Sequence, residues 1–279
     1  MILMPDSTNN RMVAFNPFDG SVMNPNMFAL QGGTPIHALP VGNEIWVSEQ
    51  VGDRISRWDY AGNLLGNIGG QFAGGGLDNI RGMGLVNNVV YVTNAGTANN
   101  APGAAVVMFD TAGNNLGFFG TAATAPSPFG VLAHQGGILV SSSSANDDIH
   151  KYDLAGNSLG TFHNSTTLNF AEQLNYAANG NVLVAGFSSP AGTYELDVNT
   201  GAIVNTIAGS GNRGVIQLGN GNILWSNGTG VHIYDVGTNS STLIYSGGGR
   251  YLEYTAVPEP ASLLVIGAGL ALLARRRRK

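Results

Sequence analysis

Residues 127–162 read SPFGVLAHQGGILVSSSSANDDIHKYDLAGNSLGTF, and they punctuate themselves into four pieces. Residues 130–133 and 138–142 are short apolar runs joined by a glycine turn. After a polar loop, residues 149–153 make a third run ending on Asp153, and an Ala-Gly-Asn turn leads into a fourth at 158–162. Short runs of this kind, bounded by Gly, Asn and Asp, are hairpin-linked strands.

The unit recurs along the chain. An aromatic or apolar residue, an Asp and a turn appear as FDG, WDYAGN, FDTAGN, YDLAGN, LDVNTG and YDVGTN. They place Asp19, Asp59, Asp110, Asp153, Asp197 and Asp235 at spacings of 40, 51, 43, 44 and 38 residues. A β-rich period near forty belongs to propeller blades of four strands, so six marks predict an all-β, six-bladed β-propeller over residues 1–256. The aspartates themselves read as turn formers that accept backbone hydrogen bonds. Only residues 1–15 precede the first mark, one strand too few. RYLEYTAV, residues 250–257, has the pattern of an innermost strand with no second strand after it. It is expected to complete the N-terminal blade, so that the terminal strands pair and the ring closes without an open edge.

Composition agrees with an all-β chain. Of 279 residues, 41 are glycine and 10% are charged, which suits short strands and tight turns. The net charge of −5 hides a division: five of the twelve basic residues lie at 275–279, leaving seven basic against seventeen acidic residues before them. So acidic a body, without a basic stripe, argues against nucleic acid as a partner. The absence of cysteine excludes disulfides, zinc–thiolate sites and a cysteine nucleophile.

The stretches GDRISRWDYAGN and ANDDIHKYDLAGN resemble NHL repeats, and Tyr91-Val92-Thr93-Asn94 is similar to the motif that names the YVTN propellers. The unit carrying it departs from the pattern by a Gly/Ala/Asn-rich insertion at residues 94–104, read as a surface loop. The resemblance implies the architecture and leaves the activity open.

From 261 to 274 every residue but Ser262 is apolar or small, and Arg275, Arg276, Arg277, Arg278 and Lys279 follow. A run apolar on all faces predicts a single C-terminal transmembrane helix, with the arginines snorkelling and holding that end in the cytoplasm. Pro258-Glu259-Pro260 stands before it, and the prolines keep that segment extended and open to a protease. Together residues 257–279 resemble the PEP-CTERM sorting signal of Gram-negative bacteria. The resemblance implies recognition by an exosortase at the inner membrane, cleavage near the motif, and delivery to the cell surface or extracellular matrix; an uncleaved tail would leave a periplasmic propeller anchored in the inner membrane. MILMPDSTNN has no basic start, apolar stretch or small-residue cleavage site, so a signal peptide is expected upstream of Met1.

Chemistry is sparsely marked, and no catalytic residue or cofactor is assigned. His37, His134, His150, His163 and His232 show no ligand spacing and fall at different places in their units, which reads as structural or solvent-facing. Glu44, Glu172 and Glu253 lie in or beside inner strands, with Asp78 just before one. They are the channel candidates for a divalent cation such as calcium, in competition with structural roles. The serines at 141–144 lack a GxSxG context and read as a solvated strand end. GGQFAGGG at 69–76 lacks the ending of a phosphate loop and reads as a connection between blades. Trp46, Trp58 and Trp225 read as core rather than as a sugar platform.

Two functions remain. The first is a non-enzymatic module binding polysaccharide or a surface protein through loops on one face. The alternative is a lactonase-like or lyase-like propeller enzyme with a channel-bound cation. Three or more oxygens converging on the axis favour the enzyme, and an apolar or blocked channel favours the binder.

Overall fold

The hairpin chemistry of residues 127–162 is realised as a four-stranded antiparallel sheet. Pro128–His134 (β12), Gly137–Ser142 (β13), Ile149–Asp153 (β14) and Ser158–His163 (β15) pair in chain order. The computed structural model describes residues 1–69, 76–144 and 148–256, and five further sheets of four strands repeat this plan. The inner strands are Pro35–Val41 (β4), Ile80–Val86 (β8), β12, Ala171–Tyr176 (β16), Gly214–Gln217 (β20) and Glu253–Tyr254 (β24). The chain is an all-β, six-bladed propeller. Its described residues hold no α-helix, only a 3-10 turn at Ala98–Asn100 inside the 94–104 insertion.

The Asp marks cap the third strands. Asp59, Asp110 and Asp153 make the same turn. One carboxylate oxygen of each accepts the backbone N–H of Ala61, Ala112 or Ala155 at 2.9–3.0 Å and that of Asn63, Asn114 or Asn157 at 2.8 Å, while the other takes the Asn side-chain amide. Gly62, Gly113 and Gly156 supply the positive φ, +86°, +94° and +88°, that closes it. Hydrogen bonds from the Asn residues hold all three carboxyls below the usual carboxylate range.

Six apolar clusters between neighbouring blades form the core. Leu39, Trp46 and Ile55, for example, meet Ile80, Val90 and Phe109. Trp46, Trp58 and Trp225 are all buried. A shared hydroxyl stitches blades together. Ser48 Oγ donates to Arg81 O at 2.5 Å, Thr93 Oγ1 to Phe129 O at 2.8 Å, Ser141 Oγ to Glu172 O at 2.5 Å and Ser226 Oγ to Arg250 O at 2.5 Å. In the first three cases a second strand reaches the inner strand of the next blade, and in the last it reaches the segment that leads into β24. The 141–144 run is therefore not simply a solvated strand end: Ser141 and Ser142 are fully buried, because a paired hydroxyl can be taken from water at little cost.

Ring closure follows the expected route with a shorter strand. Among the described residues of the 250–257 stretch only Glu253–Tyr254 is β, pairing with Ile2–Asp6 (β1) as Ile2↔Tyr254 and Leu3↔Glu253. The Met1 amine donates to Thr255 O and Thr255 N–H to Met1 O, both at 2.9 Å. The fully buried Asp6 anchors the seam, accepting Gly248 N–H at 2.9 Å and Tyr245 O–H at 2.5 Å besides bonds within its own turn. Burial raises its carboxyl, but the bonds from Asn9, Tyr245 and Gly248 outweigh this and hold it below the ordinary value.

The C-terminal membrane helix expected from the sequence, with Pro258, Glu259, Pro260 and Arg275 to Arg278, falls outside the described residues, as does most of GGQFAGGG. Among the described residues no helix is long and apolar enough to cross a membrane.

Candidate functional site: the axial layer and its bowl

Four inner strands break register at the same place. The shift falls between Pro35 and His37, Ile80 and Met83, Pro128 and Val131, and Ala171 and Leu174. A bulge leaves residues unpaired in the ladder and re-aims their side chains. Ile36, Arg81, Phe129 and Glu172 thereby leave the blade pattern, and the carbonyls of the last three take the inter-blade hydroxyls described above. Arg213 and Arg250 enter the last two inner strands at the matching level. A Cβ on Gly82 would lie 2.3 Å from Phe129 O and 2.9 Å from Gly130 Cα, so only glycine lets the two inner strands approach here. Ile36, Phe129 and Tyr251 pack into an apolar cluster drawn from three different blades, a plug of buried side chains that joins inner strands across the axis.

Beyond this plug lies a bowl of about 270 Å³, walled by Leu39, Met83, Leu85, Val131 and Leu132 and carrying His37, Gln173, Asn175, Glu253 and Tyr254. His37 accepts the Met83 N–H on Nδ1 at 3.0 Å. Its neutral ring therefore carries the proton on Nε2 and donates to Glu253 Oε2 at 3.1 Å. Gln173 is buried and fixed, accepting Val215 N–H and Leu252 N–H, both at 3.0 Å, and donating to Leu252 O at 2.6 Å.

The three carboxylate candidates part company. Glu253 faces the bowl. Glu172 lies on the axial layer, 3% exposed; burial pushes its carboxyl up to about 8, against the pull of Arg213 and Arg81. Glu44 is not a channel residue: Arg57 grips it at 2.7 and 2.8 Å and Trp46 Nε1 donates to it at 2.9 Å. Asp78 accepts Ala98 N–H at 2.6 Å and steadies the insertion.

These residues do not suit a divalent cation. Among the described residues no group of three or more His, Asp or Glu is placed to hold a metal. The charges of Arg81 and Arg213, which reach Glu172 from a distance, repel a cation, and His37 Nδ1 is already engaged. No step through a metal is derived.

Sequence reasoning missed the His37–Glu253 pair, whose members are 216 residues apart. Both lie in inner strands of adjacent blades, a signal available once the seam was closed. The other histidines are structural. His134 bonds Tyr176 Oη, His150 bonds Ser158, His163 bonds Gly201 O and Ser165, and His232 stacks on Trp225 at 4.1 Å.

Comparison with known proteins bears on the fold and the tail. A chain in a crystal structure of a nidogen/laminin complex is similar with a TM-score of 0.72 at 12% identity, over 90% of this chain and 97% of that one. A protein of unknown function from Bacteroides caccae gives 0.65 at 14% identity, over 90% and 97%. A streptogramin B lyase structure gives 0.58 at 10% identity, over 91% and 88%. No curated protein sequence is significantly similar to the chain. At these identities the likeness is one of fold. Residues 256–279 match the PEP-CTERM protein-sorting motif, a signal for exosortase-dependent export to the cell envelope. The chain is thus a six-bladed β-propeller, similar to the NHL-type and streptogramin B lyase-like propellers, that ends in a PEP-CTERM sorting motif.

Proposed function

We propose that residues 1–256 act, after export and exosortase processing in a Gram-negative envelope, as a non-enzymatic binding module for polysaccharide or protein at the cell surface or in the extracellular matrix. Residues 257–279 serve as the processing signal: Pro258, Glu259 and Pro260 present the cleavage site, the apolar run holds the substrate in the membrane, and Arg275 to Arg278 orient it. The carrying observation is the plug of Ile36, Phe129 and Tyr251. It turns the channel into a shallow bowl with apolar walls and a few fixed polar groups, a form that suits recognition of one sugar ring or one side chain.

The test is co-sedimentation of the purified chain with polysaccharide and protein fractions of its own envelope, beside Asn175→Trp, which fills the half-buried rim of the bowl. Association weakened tenfold or more by the substitution is expected; unchanged association overturns the reading. A second reading, a lyase-like enzyme, draws on the His37–Glu253 pair facing the bowl. Turnover of a lactone or of an acidic glycan that is lost in Glu253→Gln would replace the first reading with it.

A further inference from the structure

Phe129 of the plug also belongs to an arrangement that the bowl does not use. Phe129, Phe170 and Phe187 stand in a row with ring centroids 5.0 Å apart at each step. A guanidinium lies on each end of the row. Arg81 Cζ is 3.8 Å from the Phe129 centroid and Arg213 Cζ is 5.0 Å from that of Phe187. The middle ring is held by a strained backbone, since Phe170 has φ +56°, a conformation that bulky L-residues avoid unless the surroundings impose it. Arg213, Phe170 and Phe187 are half-buried and keep contact with solvent.

The charges of this row do not balance. Arg11, Arg54 and Arg57 each pair with a carboxylate. Arg81 and Arg213 form no ion pair among the described residues, although both act on Glu172 from a distance. Arg81 is 8% exposed and uses Nη1 on Ser127 Oγ and Pro128 O. Its Nε and that of Arg213 are buried without a hydrogen-bond partner. Unmet guanidinium donors in a dry site are costly, and a planar carboxylate meets them with matched geometry. The three rings meet edge-on or tilted, at interplanar angles of 64° and 56°, and the half-buried Phe170 and Phe187 leave apolar ring surface on which a ligand's ring can pack.

We infer that the Arg81–Phe129–Phe170–Phe187–Arg213 arc is a binding site for a carboxylate carried on a ring. The carboxylate takes the unpartnered guanidinium donors, approached from the solvent side at the half-buried Arg213, and the ring packs on Phe170 and Phe187. Two sources share this chemistry, a hexuronate unit of an acidic polysaccharide and a small aromatic acid. The site is separate from the bowl and does not depend on what the bowl binds.

The full chain is titrated calorimetrically with galacturonate, benzoate and, as a neutral control, galactose, alongside Arg213→Gln and the bowl substitution Asn175→Trp. One of the two acids is expected to bind at least tenfold more tightly than galactose, with at least a tenfold loss in Arg213→Gln and none in Asn175→Trp. Preference for galacturonate names the acidic sugar, and preference for benzoate names the aromatic acid. Arg213 donates no side-chain hydrogen bond to the described residues, so Arg213→Gln is expected to keep its melting temperature; Phe187→Leu, which removes one ring of the arc, gives a second loss if it does not. Failure of both acids to bind, galactose binding as tightly as the acids, or binding unchanged in both arc variants overturns the assignment.

Discussion

The turns on the rim and the layer on the axis occupy corresponding places in every blade, yet they obey opposite rules. At the rim, Asp59, Asp110 and Asp153 make the same hydrogen bonds with the same partners. On the axis, the equivalent positions hold Ile36, Arg81, Phe129, Glu172, Arg213 and Arg250, and only arginine recurs. Repetition serves architecture, because each blade needs the same local turn. Divergence marks the place where one asymmetric set of side chains is assembled from six copies of one motif.

The difference can be broken most forcefully at the seam, where an aspartate does what no rim aspartate does. Asp6→Ala strips the buried Tyr245 hydroxyl and Gly248 N–H of their acceptor and is expected to cost about 4 kcal/mol, read as a lowered denaturant midpoint. A loss no larger than that of a rim substitution would place Asp6 among the ordinary turn formers.

Glu172 gives the next effect and a sign. Its folded-state carboxyl is raised to about 8 from an ordinary 4.5, so the folded protein holds a proton that the unfolded chain releases. The stabilisation is complete below the unfolded value and fades as pH rises through about 8. From pH 5 to pH 8 this amounts to roughly 3 kcal/mol. Glu172→Gln should flatten that slope in a series of thermal melts; an unchanged slope would remove Glu172 as its source.

Ser141→Ala is smaller. It leaves Glu172 O and Gly130 N–H without their shared hydroxyl, at a cost of about 1.5 kcal/mol by chemical denaturation. Asp153→Ala comes last. Its carboxylate is exposed and its bonds are local, so its denaturant midpoint should fall less than that of Ser141→Ala, with ligand binding untouched. A larger fall, or a change in binding, would erase the division between rim and axis.

The same division decides what could be read in advance. The blades were legible because Asp, Gly and Asn write their turns locally, and the third strand Ile149–Asp153 matched its expected bounds. The seam was legible because one blade was a strand short. The axial layer was not, because bulges displace its members from strict alternation and its positions share few residue types. Glu44 was mistaken for a channel residue although its partner Arg57 lies on the neighbouring strand, opposite Trp46. The buried serines looked wet because a run of hydroxyls carries no mark of the carbonyls it will meet.

The two-residue strand β24 also sets an order of events. The first blade is the last to be completed, since β1 waits for partners about 250 residues later in the chain. Contacts of such separation close late. The tail begins right behind that strand, so a pull on residues beyond 256 reaches the disc through the Ile2–Tyr254 and Leu3–Glu253 pairs. Sorting motif and latch are adjoining pieces of chain, so any force that acts on the motif loads the ring at its closing pairs first.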